Sequence, residues 1–577
     1  MWIFVKFGAW NVSSFDAAQV RELEQAGYGA LCARVLSARG YGSAEAAAEY
    51  LRADAPLNSP FLMKDMKTAA DRVRLAVARR EHIAVFGDYD VDGITSTALL
   101  TEFLRGLGGR VTSYIPARLE EGYGLNELAI RHLYKQQVNL IVTVDCGITA
   151  NGEAELCRGL GMDLVITDHH ECKDELPRAA AVVDPHREDC SYPHTNLSGV
   201  GIAFQLAAAI GGEQAALLER FSDLLCLGLV ADVMPLRGEV RTMVVKGLKA
   251  LERPARPGLA ALMKECGCLG GPVTTSTVGY LLAPRINAAG RMESGRTAVD
   301  MLTARDDQEA LEIGAAINEH NNDRKKIDRE ITDEALRMVQ QMPDFASRKS
   351  TIVYNPSWHK GVVGIVASRL VEAYYRPTIV MTKSNGFITG SARSIAGFDL
   401  YDAIESCADL LENFGGHMYA AGLTIKESNF PEFCERFEAT VASKIKNVVM
   451  TPTVDIDSYL DFNQITPKFF RLLKQFQPFG PGNQSPVFIT ENVYDNGNGR
   501  KVGAADQGDL KHLKLELIQE DEPYHHISAI AFNLSEHFEH MQAGNPVDIC
   551  YSIAENYYRG IANIQLRVKD IKEKELF

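Results

Sequence analysis

The sequence predicts an α/β protein with a parallel-sheet domain, a long helix, a smaller α/β domain and a C-terminal β-rich domain. Four short apolar runs end in an acidic residue, at Asp88, Asp145, Asp168 and Asp184. Helical stretches separate these runs, a pattern that is typical of parallel strands covered on both faces. Because ligands bind outside the carboxyl ends of such strands, we expect the four strand ends to meet at one crevice.

The chain should contain several domains, since its 577 residues exceed what a single hydrophobic core normally serves. Its residue pattern divides it into an N-terminal helical segment packed on the next domain (1–80), a parallel-sheet domain (81–305), a bridging helix (306–341), a smaller α/β domain (345–447) and a β-rich domain (453–577). The middle of the predicted helix is almost entirely polar, which fits a helix that crosses solvent. Short strands at the end of the chain favour a small β-barrel, and an oligonucleotide-binding (OB) barrel is one candidate.

Composition narrows the class of protein. The net charge of −15 argues against a surface that is basic throughout, so contact with nucleic acid would have to come from local clefts. No apolar run approaches the ~20 residues that span a bilayer, and 1–10 lacks the apolar core of a signal peptide. Eleven cysteines without a framework spacing suit a reducing compartment, so we expect the cytoplasm and no membrane contact. The pair Cys266 and Cys268 has no partner pair at zinc-site spacing.

Carboxylates and histidines at the predicted strand ends could bind divalent metal ions. Alternate aspartates on the turn after the first strand can point at one place, and the acidic residue after the next strand can bridge two ions. The candidate ligands are Asp88, Asp90, Asp92, Asp145, His169 and Asp232, and His170 is either a further nitrogen ligand or a proton donor. Oxygen and nitrogen donors without a thiolate favour manganese or magnesium over structural zinc.

Two alternatives concern the Asp-x-Asp-x-Asp-Gly turn. A calcium loop between two helices would need a glutamate at its twelfth position, and that position is Leu99. Helix capping would explain any one of these acids alone. Their repetition at several strand ends favours the metal site.

The sequence resembles the DHH phosphoesterases, and within them the RecJ subfamily of single-strand-specific exonucleases. Four stretches resemble the motifs of the larger family: Asp88-Tyr-Asp-Val-Asp-Gly93, Val144-Asp-Cys-Gly147, Asp168-His-His170 and Ala231-Asp232. Phe414-Gly-Gly-His-Met-Tyr-Ala-Ala-Gly422 resembles the glycine-rich motif of the associated smaller domain. Several further stretches resemble the subfamily, among them Glu121-Gly-Tyr-Gly-Leu125, Pro284-Arg-Ile-Asn-Ala-Ala-Gly-Arg291, His359-Lys-Gly-Val-Val-Gly364, Gly390-Ser-Ala-Arg-Ser394 and Pro478-Phe-Gly-Pro-Gly-Asn483.

The resemblance implies two divalent ions, manganese or magnesium, in the DHH catalytic domain. One ion would be held by Asp90 and Asp145 with Asp88, and the other by Asp92, Asp145, His169 and Asp232. The catalytic residues would then be Asp92, Asp145 and His170. His170 would face the phosphate as a hydrogen-bond donor or general acid; its alternative role is to orient His169.

Phosphate binding is expected from basic residues and glycines in loops. The candidates are Arg118, Arg285, Arg291, Arg393, His417, Gly415 and Gly416. Guanidinium groups suit phosphate oxygens, although each arginine could instead form an ion pair at the surface or between domains. Tyr123 and Trp358 could stack on bases or simply pack.

The implied activity is metal-dependent 5′ to 3′ degradation of single-stranded DNA to 5′ mononucleotides, in DNA repair and recombination. A single-strand-binding protein and a RecQ-type helicase are the implied partners. Basic pairs such as Arg500-Lys501 and Lys511-His512 in the OB-like barrel would guide the strand, or would form a solvated face. Two other functions stay open at this point: a phosphodiesterase for very short RNA or dinucleotides, and a non-catalytic DNA-binding scaffold.

Overall fold

A computed structural model describes residues 7–117, 121–122, 124–173, 175–292, 294–342, 344–445, 451–504, 509–520, 522–558 and 561–574. Arg118 and Tyr123 lie outside these residues. The N-terminal elements are β1 (Ala9–Val12), α1 (Ala17–Gln25), α2 (Ala30–Ala38), α3 (Ala44–Arg52) and α4 (Met66–Ala78).

The parallel-sheet domain is built on five strands. Its first half contains β2 (His82–Gly87), α5 (Val91–Gly106), β3 (Arg110–Tyr114), α6 (Glu127–Lys135), β4 (Leu140–Val144), α7 (Asn151–Gly159), β5 (Asp163–Thr167) and β6 (Ala181–Val183). Its second half is helical, with α8 (Gly199–Ile210), α9 (Gln214–Ala231), α10 (Gly238–Leu251), α11 (Pro257–Glu265), α12 (Thr275–Thr277), a π-helix (Val278–Leu282), α13 (Ala283–Met292) and α14 (Gly295–Thr303).

Helices cover both faces of this sheet, which explains the apolar strands. The strand order is β3-β2-β4-β5-β6, and every position of β2 and β4 is buried. Ile83 and Val85 pack with α5, α8 and α9, whereas Ala84 and Phe86 pack with α6 and α7. After β2 the chain forms β3 on one side of β2 and then crosses to form β4 on the other side. The strand order therefore reverses at β2 and β4, and ligands bind such sheets in the crevice beyond the strand ends at that point. The predicted α/β fold with a parallel sheet is confirmed.

The bridging helix α15 (Asp307–Gln340) has 34 residues, and its side-chain cap is Asp306. It packs on α11 and α13 near its start and on α16 near its end. We had expected the polar middle of this helix to cross solvent, but part of it is buried. Asp328 is buried there and accepts two hydrogen bonds from Arg369, at 3.0 and 2.7 Å. The polar residues of this stretch therefore join two domains.

The second domain carries a mixed five-stranded sheet. Its elements are β7 (Thr351–Tyr354), α16 (Val363–Tyr374), β8 (Thr378–Ser384), β9 (Phe387–Arg393), α17 (Leu400–Glu405), β10 (Leu411–His417), β11 (Ala420–Ile425) and α18 (Phe430–Lys444). The strand order is β10-β11-β9-β8-β7, in which only β7 and β8 pair in parallel among the described pairs.

The C-terminal domain has the strand connectivity of an OB fold. Its elements are β12 (Thr453–Ile456), β13 (Ser458–Tyr459), α19 (Pro467–Lys474), β14 (Val487–Asp495), β15 (Arg500–Ala504), β16 (Asp509–Gln519), β17 (Glu522–Ala531), α20 (Phe538–Gln542), β18 (Val547–Tyr558) and β19 (Ile561–Glu573). Strand β14 pairs with both β16 and β18, and β16, β17, β19 and β18 pair in that order. Five strands therefore follow one another in a ring, as the β-rich pattern predicted.

The N-terminal segment packs differently from our expectation. Strand β1 pairs in parallel with β12, and α1 to α3 share an apolar core with the C-terminal domain. Only α4 packs into the core of the parallel-sheet domain. Helical periodicity identifies an apolar face but not the surface that covers it, so packing of the whole segment on the parallel-sheet domain was a wrong expectation. Among the helices of the described residues, none combines the length and apolar character needed to cross a bilayer.

Candidate metal centre and substrate cleft

The loop after β2 delivers two aspartates through the first turn of α5. Asp90 caps the helix, accepting a hydrogen bond of 3.0 Å from the backbone N–H of Gly93. Asp92 is buried at the N-terminus of α8, where it accepts from the Ser198 hydroxyl at 2.8 Å and from the N–H of Gly199 at 2.5 Å. The N–H groups of a helix start stabilise a carboxylate, so these contacts hold Asp92 in one orientation.

Asp145 follows β4 with left-handed backbone geometry, at a φ of 62°. Aspartate tolerates this geometry better than most residues. The start of α8 comes so close that a Cβ added to Gly199 would lie 2.5 Å from the Cβ of Asp145. A glycine at position 199 is therefore required for α8 to bring Asp92 and Asp145 together.

His169 lies among three of the predicted ligands. Its Nε2 is 3.0 Å from Oδ1 of Asp145, 3.8 Å from Oδ2 of Asp92 and 3.6 Å from Oδ2 of Asp232, which ends α9. Burial and the neighbouring His170 lower the pKa of His169 to about 3. A neutral imidazole is the form that binds a metal ion.

His170 is held by the buried carboxylate of Asp168. Its Nδ1 lies 2.7 Å from Oδ1 of Asp168, and its side chain is 47% exposed. Burial lowers the pKa of His170, but the hydrogen bond and charge of Asp168 outweigh burial and raise this pKa to about 9. His170 is thus a cation at neutral pH and lies at the open side of the cluster. The hydrogen bond of its Nδ1 goes to Asp168 rather than to His169.

The carboxylates repel one another strongly in the absence of cations. Burial and Asp90 raise the pKa of Asp92 to about 6, and burial and Asp92 raise that of Asp232 to about 9. Burial, Asp92 and Asp90 raise the pKa of Asp145 well above its ordinary value. Within the described residues, the buried Oδ2 of Asp232 has no hydrogen-bond partner. A buried acceptor without a hydrogen-bond partner, beside several other carboxylates, is the environment expected of a cation-binding site.

The predicted ligands form three overlapping sets whose donor atoms lie within 4.8 Å of one another. The sets are Asp88, Asp90 and Asp145; Asp92, His169 and Asp232; and Asp145, His169 and His170. The structure therefore brings together the six candidate ligands of the sequence analysis and His170. Carboxylate oxygens and imidazole nitrogens suit manganese or magnesium.

Arg393 and His417 of the second domain flank Ala420 in the same sheet. Arg393 ends β9 and donates to the Ser391 hydroxyl at 2.9 Å, and Ala420 pairs with Arg393 on one side and with His417 on the other. Burial lowers the pKa of His417, and the charges of Arg393 and His170 lower it further. The charge of His170 acts on His417, and Arg291 donates a hydrogen bond to Gly361 of the second domain, so the second domain lies next to the metal cluster.

The two glycines before His417 shape β10. Gly416 has a φ of 148°, and an added Cβ would lie 2.3 Å from the carbonyl oxygen of Ala420. An added Cβ at Gly415 would meet nothing within 4 Å. The strand thus turns tightly at Gly416 and leaves open space beside Gly415.

Two predicted phosphate-binding arginines are engaged within the protein. Arg285 is buried and donates to Oδ1 of Asn318 on α15 at 2.9 Å and to the carbonyl of Leu281 at 2.8 Å. Arg291 donates to the carbonyl of Gly361 in the second domain at 2.8 Å. Trp358 is 5% exposed and donates to Glu334, so it is a core residue rather than a base-stacking one.

Helix α13 supports the metal loop, a role that our sequence reasoning missed. The Asn287 side chain accepts from the N–H of Val91 at 3.1 Å, and a Cβ added to Gly290 would lie 2.4 Å from the carbonyl oxygen of Tyr89. The stretch Pro284 to Arg291 carried a signal, since we singled it out as a motif. We assigned that signal to its arginines rather than to its asparagine and glycine.

Three family models match the chain along its length. They are the DHH family N-terminal domain at residues 82–229, the DHHA1 domain at 348–443 and the RecJ OB domain at 456–570. A curated relative, the single-stranded-DNA-specific exonuclease RecJ of Bacillus subtilis, is 38% identical over 98% of this chain and 71% of that protein. The chain belongs to the RecJ family. RecJ of Escherichia coli is 31% identical over 94% of this chain and 95% of that protein.

Solved RecJ structures have the same fold. A crystal structure of RecJ from Thermus thermophilus in complex with Mn²⁺ matches with a TM-score of 0.83 and 28% identity, covering 98% of this chain and 80% of that one. A second, in complex with Mg²⁺, matches with a TM-score of 0.76 and 27% identity over 98% and 79%. RecJ proteins have thus been crystallised with the two metals that the donor set of this chain favours.

Proposed function

We propose that this RecJ-family protein is a metal-dependent exonuclease that degrades single-stranded DNA from its 5′ end to 5′ mononucleotides. The observation that carries this proposal is the facing of two unlike surfaces. The buried cluster of carboxylates and histidines lies opposite Arg393, which is a cation, and His417, an imidazole whose pKa the charge of His170 lowers. One surface suits metal ions and the other suits a phosphate group.

Asp88, Asp90 and Asp145 would hold one divalent ion, and Asp92, Asp145, His169 and Asp232 would hold a second. Two such ions supply an activated water and neutralise charge on a phosphodiester during in-line displacement. Asp145 belongs to both sets because it lies between them at the end of β4. The hydrogen bonds from the start of α8 would fix Asp92 for this role.

His170 would contribute a proton. Its Nδ1 is occupied by Asp168, which keeps the ring protonated near neutral pH and fixes its orientation. Its half-exposed side chain can then donate a hydrogen bond to a phosphate oxygen or protonate the leaving oxygen. Asp168 acts through His170 and is a positioning residue.

The second domain would select the 5′ end of the strand. Arg393 and His417 adjoin each other through Ala420 on β11 and face the metal cluster. A guanidinium group binds a terminal phosphate in a charge-assisted contact, and the turn at Gly416 leaves room beside Gly415 for the nucleotide. Arg118, Arg285 and Arg291 remain proposed phosphate contacts, with Arg285 and Arg291 already holding neighbouring elements in place.

The C-terminal domain offers a surface for the strand beyond the cleft. OB folds bind oligonucleotides on the face of their second and third strands, which correspond to β16 and β17 here. Paired positions on four neighbouring strands form a row across this face. The row contains three cations and one apolar residue, in the order Arg500, Lys514, Ile530 and Arg567. Beside the row, Phe532 is 45% exposed and packs against His512 and Arg567. An aromatic ring among cations suits stacking on a base.

We assign the steps of this activity to the five predicted parts of the chain, which are 1–80, 81–305, 306–341, 345–447 and 453–577. Metal binding belongs to the second part, the 5′ end to the fourth and the trailing strand to the fifth. DNA repair and recombination, with a single-strand-binding protein and a RecQ-type helicase as partners, complete the proposal.

Hydrolysis of labelled DNA tests the function directly. Single strands and duplexes of the same sequence, labelled at the 5′ or the 3′ end, would be incubated with Mn²⁺, Mg²⁺ or a chelator. We expect labelled mononucleotide at once from 5′-labelled single strands, no digestion of blunt duplexes and no product in chelator. Cleavage restricted to strands of two to four nucleotides would instead indicate an oligonucleotide phosphodiesterase. Binding without cleavage in any metal would indicate a scaffold.

A further inference from the structure

An exposed tyrosine lies on the helix that connects the C-terminal domain with the metal cluster. The helical stretch 275–292 begins where the Thr275 hydroxyl donates to the carbonyl of Phe479 at 2.6 Å, and ends where Arg291 donates to Gly361. Tyr280 lies near its start and is 80% exposed, more than any other large apolar or aromatic side chain in the described part of the chain. The Tyr280 ring is therefore accessible to a ligand, and tyrosine is enriched where a ring meets a partner.

The exposed face of this helix leads from Tyr280 to the active site. Pro284, Asn287 and Arg291 are its half-buried positions, and they follow Tyr280 at successive steps of four, three and four residues. Such spacings place them on one side of a helix. Asn287 holds the metal loop through Val91, and Arg291 contacts the second domain. Tyr280 is therefore the outer end of a stripe whose inner end lies at the cleft.

The surroundings of Tyr280 are open, and cations lie near the next turn of the helix. Tyr280 lies in the π-helix Val278–Leu282, a local widening that is frequent at functional sites. A side chain added at Gly279 would meet nothing within 4 Å. Arg285 donates to the carbonyl of Leu281, next to Tyr280. Burial, Arg285 and Arg324 lower the pKa of Lys325, so these three cations lie near one another around Arg285.

We propose that Tyr280 stacks on a base of the single strand as it passes from the C-terminal domain to the metal cluster. The inference rests on the proposed function and adds a positioning residue between its two ends. An exposed aromatic ring beside cations is the arrangement that binds single strands without regard to sequence. Eleven residues separate Tyr280 from Arg291, or roughly 16 Å along a helix. That length corresponds to at most about five nucleotides at the spacing of a stacked strand.

The test compares long and short strands. Tyr280→Ala and Tyr280→Phe would be measured with single strands of 3 and 12 nucleotides, in binding assays with phosphorothioate-protected 5′ ends and in hydrolysis with Mn²⁺. We expect Tyr280→Ala to bind the 12-mer roughly 5- to 150-fold more weakly, the range for loss of a stacked base, and to cut the 3-mer like the wild type. Tyr280→Phe should retain binding. Tyr134→Ala is the matched control, because Tyr134 is 49% exposed but lies near the end of α6, away from the carboxyl ends of the strands.

An abasic scan locates the stacked base. A single abasic site moved along the 12-mer should weaken wild-type binding most at one position near the fifth nucleotide, and this position dependence should vanish in Tyr280→Ala. The proposal is overturned if Tyr280→Ala binds the 12-mer within twofold of the wild type, if it weakens the 3-mer equally, or if the scan is unchanged. Failure of the wild type to cut either strand would instead count against the proposed function itself.

Discussion

Replacing Asp145 by asparagine should weaken metal binding while stabilising the metal-free protein. Asparagine keeps the shape of the side chain and tolerates the φ of 62°, so the substitution removes little except charge. Two unit charges about 4 Å apart interact by about 4 kcal/mol at an effective dielectric constant near 20, or about a thousandfold in binding. We therefore expect Mn²⁺ affinity and hydrolysis to fall by about three orders of magnitude.

The stability effect has the opposite sign. Burial, Asp92 and Asp90 raise the pKa of Asp145 well above its ordinary value, so its ionised form costs the folded state free energy at neutral pH. The neutral amide removes that cost. In chelator the melting temperature of Asp145→Asn should exceed that of the wild type, whereas added Mn²⁺ should raise the melting temperature of the wild type alone. Scanning calorimetry with and without Mn²⁺ measures both effects.

Asp307→Asn, at an exposed position in the first turn of α15, is the matched control and should change neither quantity appreciably. A lower melting temperature of Asp145→Asn in chelator would refute the reasoning, because it would mean that the carboxylate stabilises the fold. Retention of more than a tenth of wild-type turnover at moderate Mn²⁺ would refute the bridging role of Asp145.

Three further outcomes are expected. Arg393→Ala should weaken binding of 5′-phosphorylated single strands about tenfold more than binding of strands with a 5′ hydroxyl, and equal losses in a titration of both would remove its role at the 5′ end. Gly199→Ala should lower Mn²⁺ affinity at least tenfold in calorimetric titration, because its Cβ would overlap Asp145, a proposed metal ligand. Gly152→Ala is the control and should bind Mn²⁺ like the wild type, because its added Cβ has nothing within 4 Å. Deletion of 451–577 should yield an aggregating protein, because it exposes the apolar face of the N-terminal helices. Deletion of both 1–56 and 451–577 should restore solubility in sedimentation assays. Equal solubility of the two truncated proteins would contradict the shared apolar core.

The metal cluster was predictable because its signal is local. Most of the candidate ligands follow a strand whose apolar pattern is visible in the sequence, and a parallel sheet brings the ends of its strands to one edge. Asp232 lies at the end of a helix rather than a strand; its place in an apolar stretch made it a candidate ligand, and the family resemblance pointed to the same residue. Ser198 and Gly199 carry no charge, so nothing in their residue types indicated that they hold Asp92 and approach Asp145.

Side chains whose role depends on distant packing were not predictable. Trp358 was expected in a loop that could meet bases, but Val363 and Val366 of α16 belong to the core that buries it. The helices α1 to α3 have an apolar face that could have been covered by either domain. The contact that decides between the two spans more than 400 residues: the Arg39 guanidinium donates to Asp457 at 2.7 and 3.1 Å. No pattern within a short window contains that information.

The anchoring of the C-terminal domain connects the two halves of the proposed function. The segment that follows Asp232 is held by the loop 475–483: the N–H of Leu236 donates to the carbonyl of Pro481 at 2.8 Å, and the buried Arg241 donates to the carbonyl of Gln477 at 2.8 Å. These contacts lie within ten residues of Asp232, a proposed metal ligand. The OB-like domain is therefore fixed at the edge of the active site rather than suspended on a linker. A single strand of DNA bound along the outer face of this domain would therefore be held in a fixed direction relative to the metal cluster, because the domain and the cluster are attached to each other.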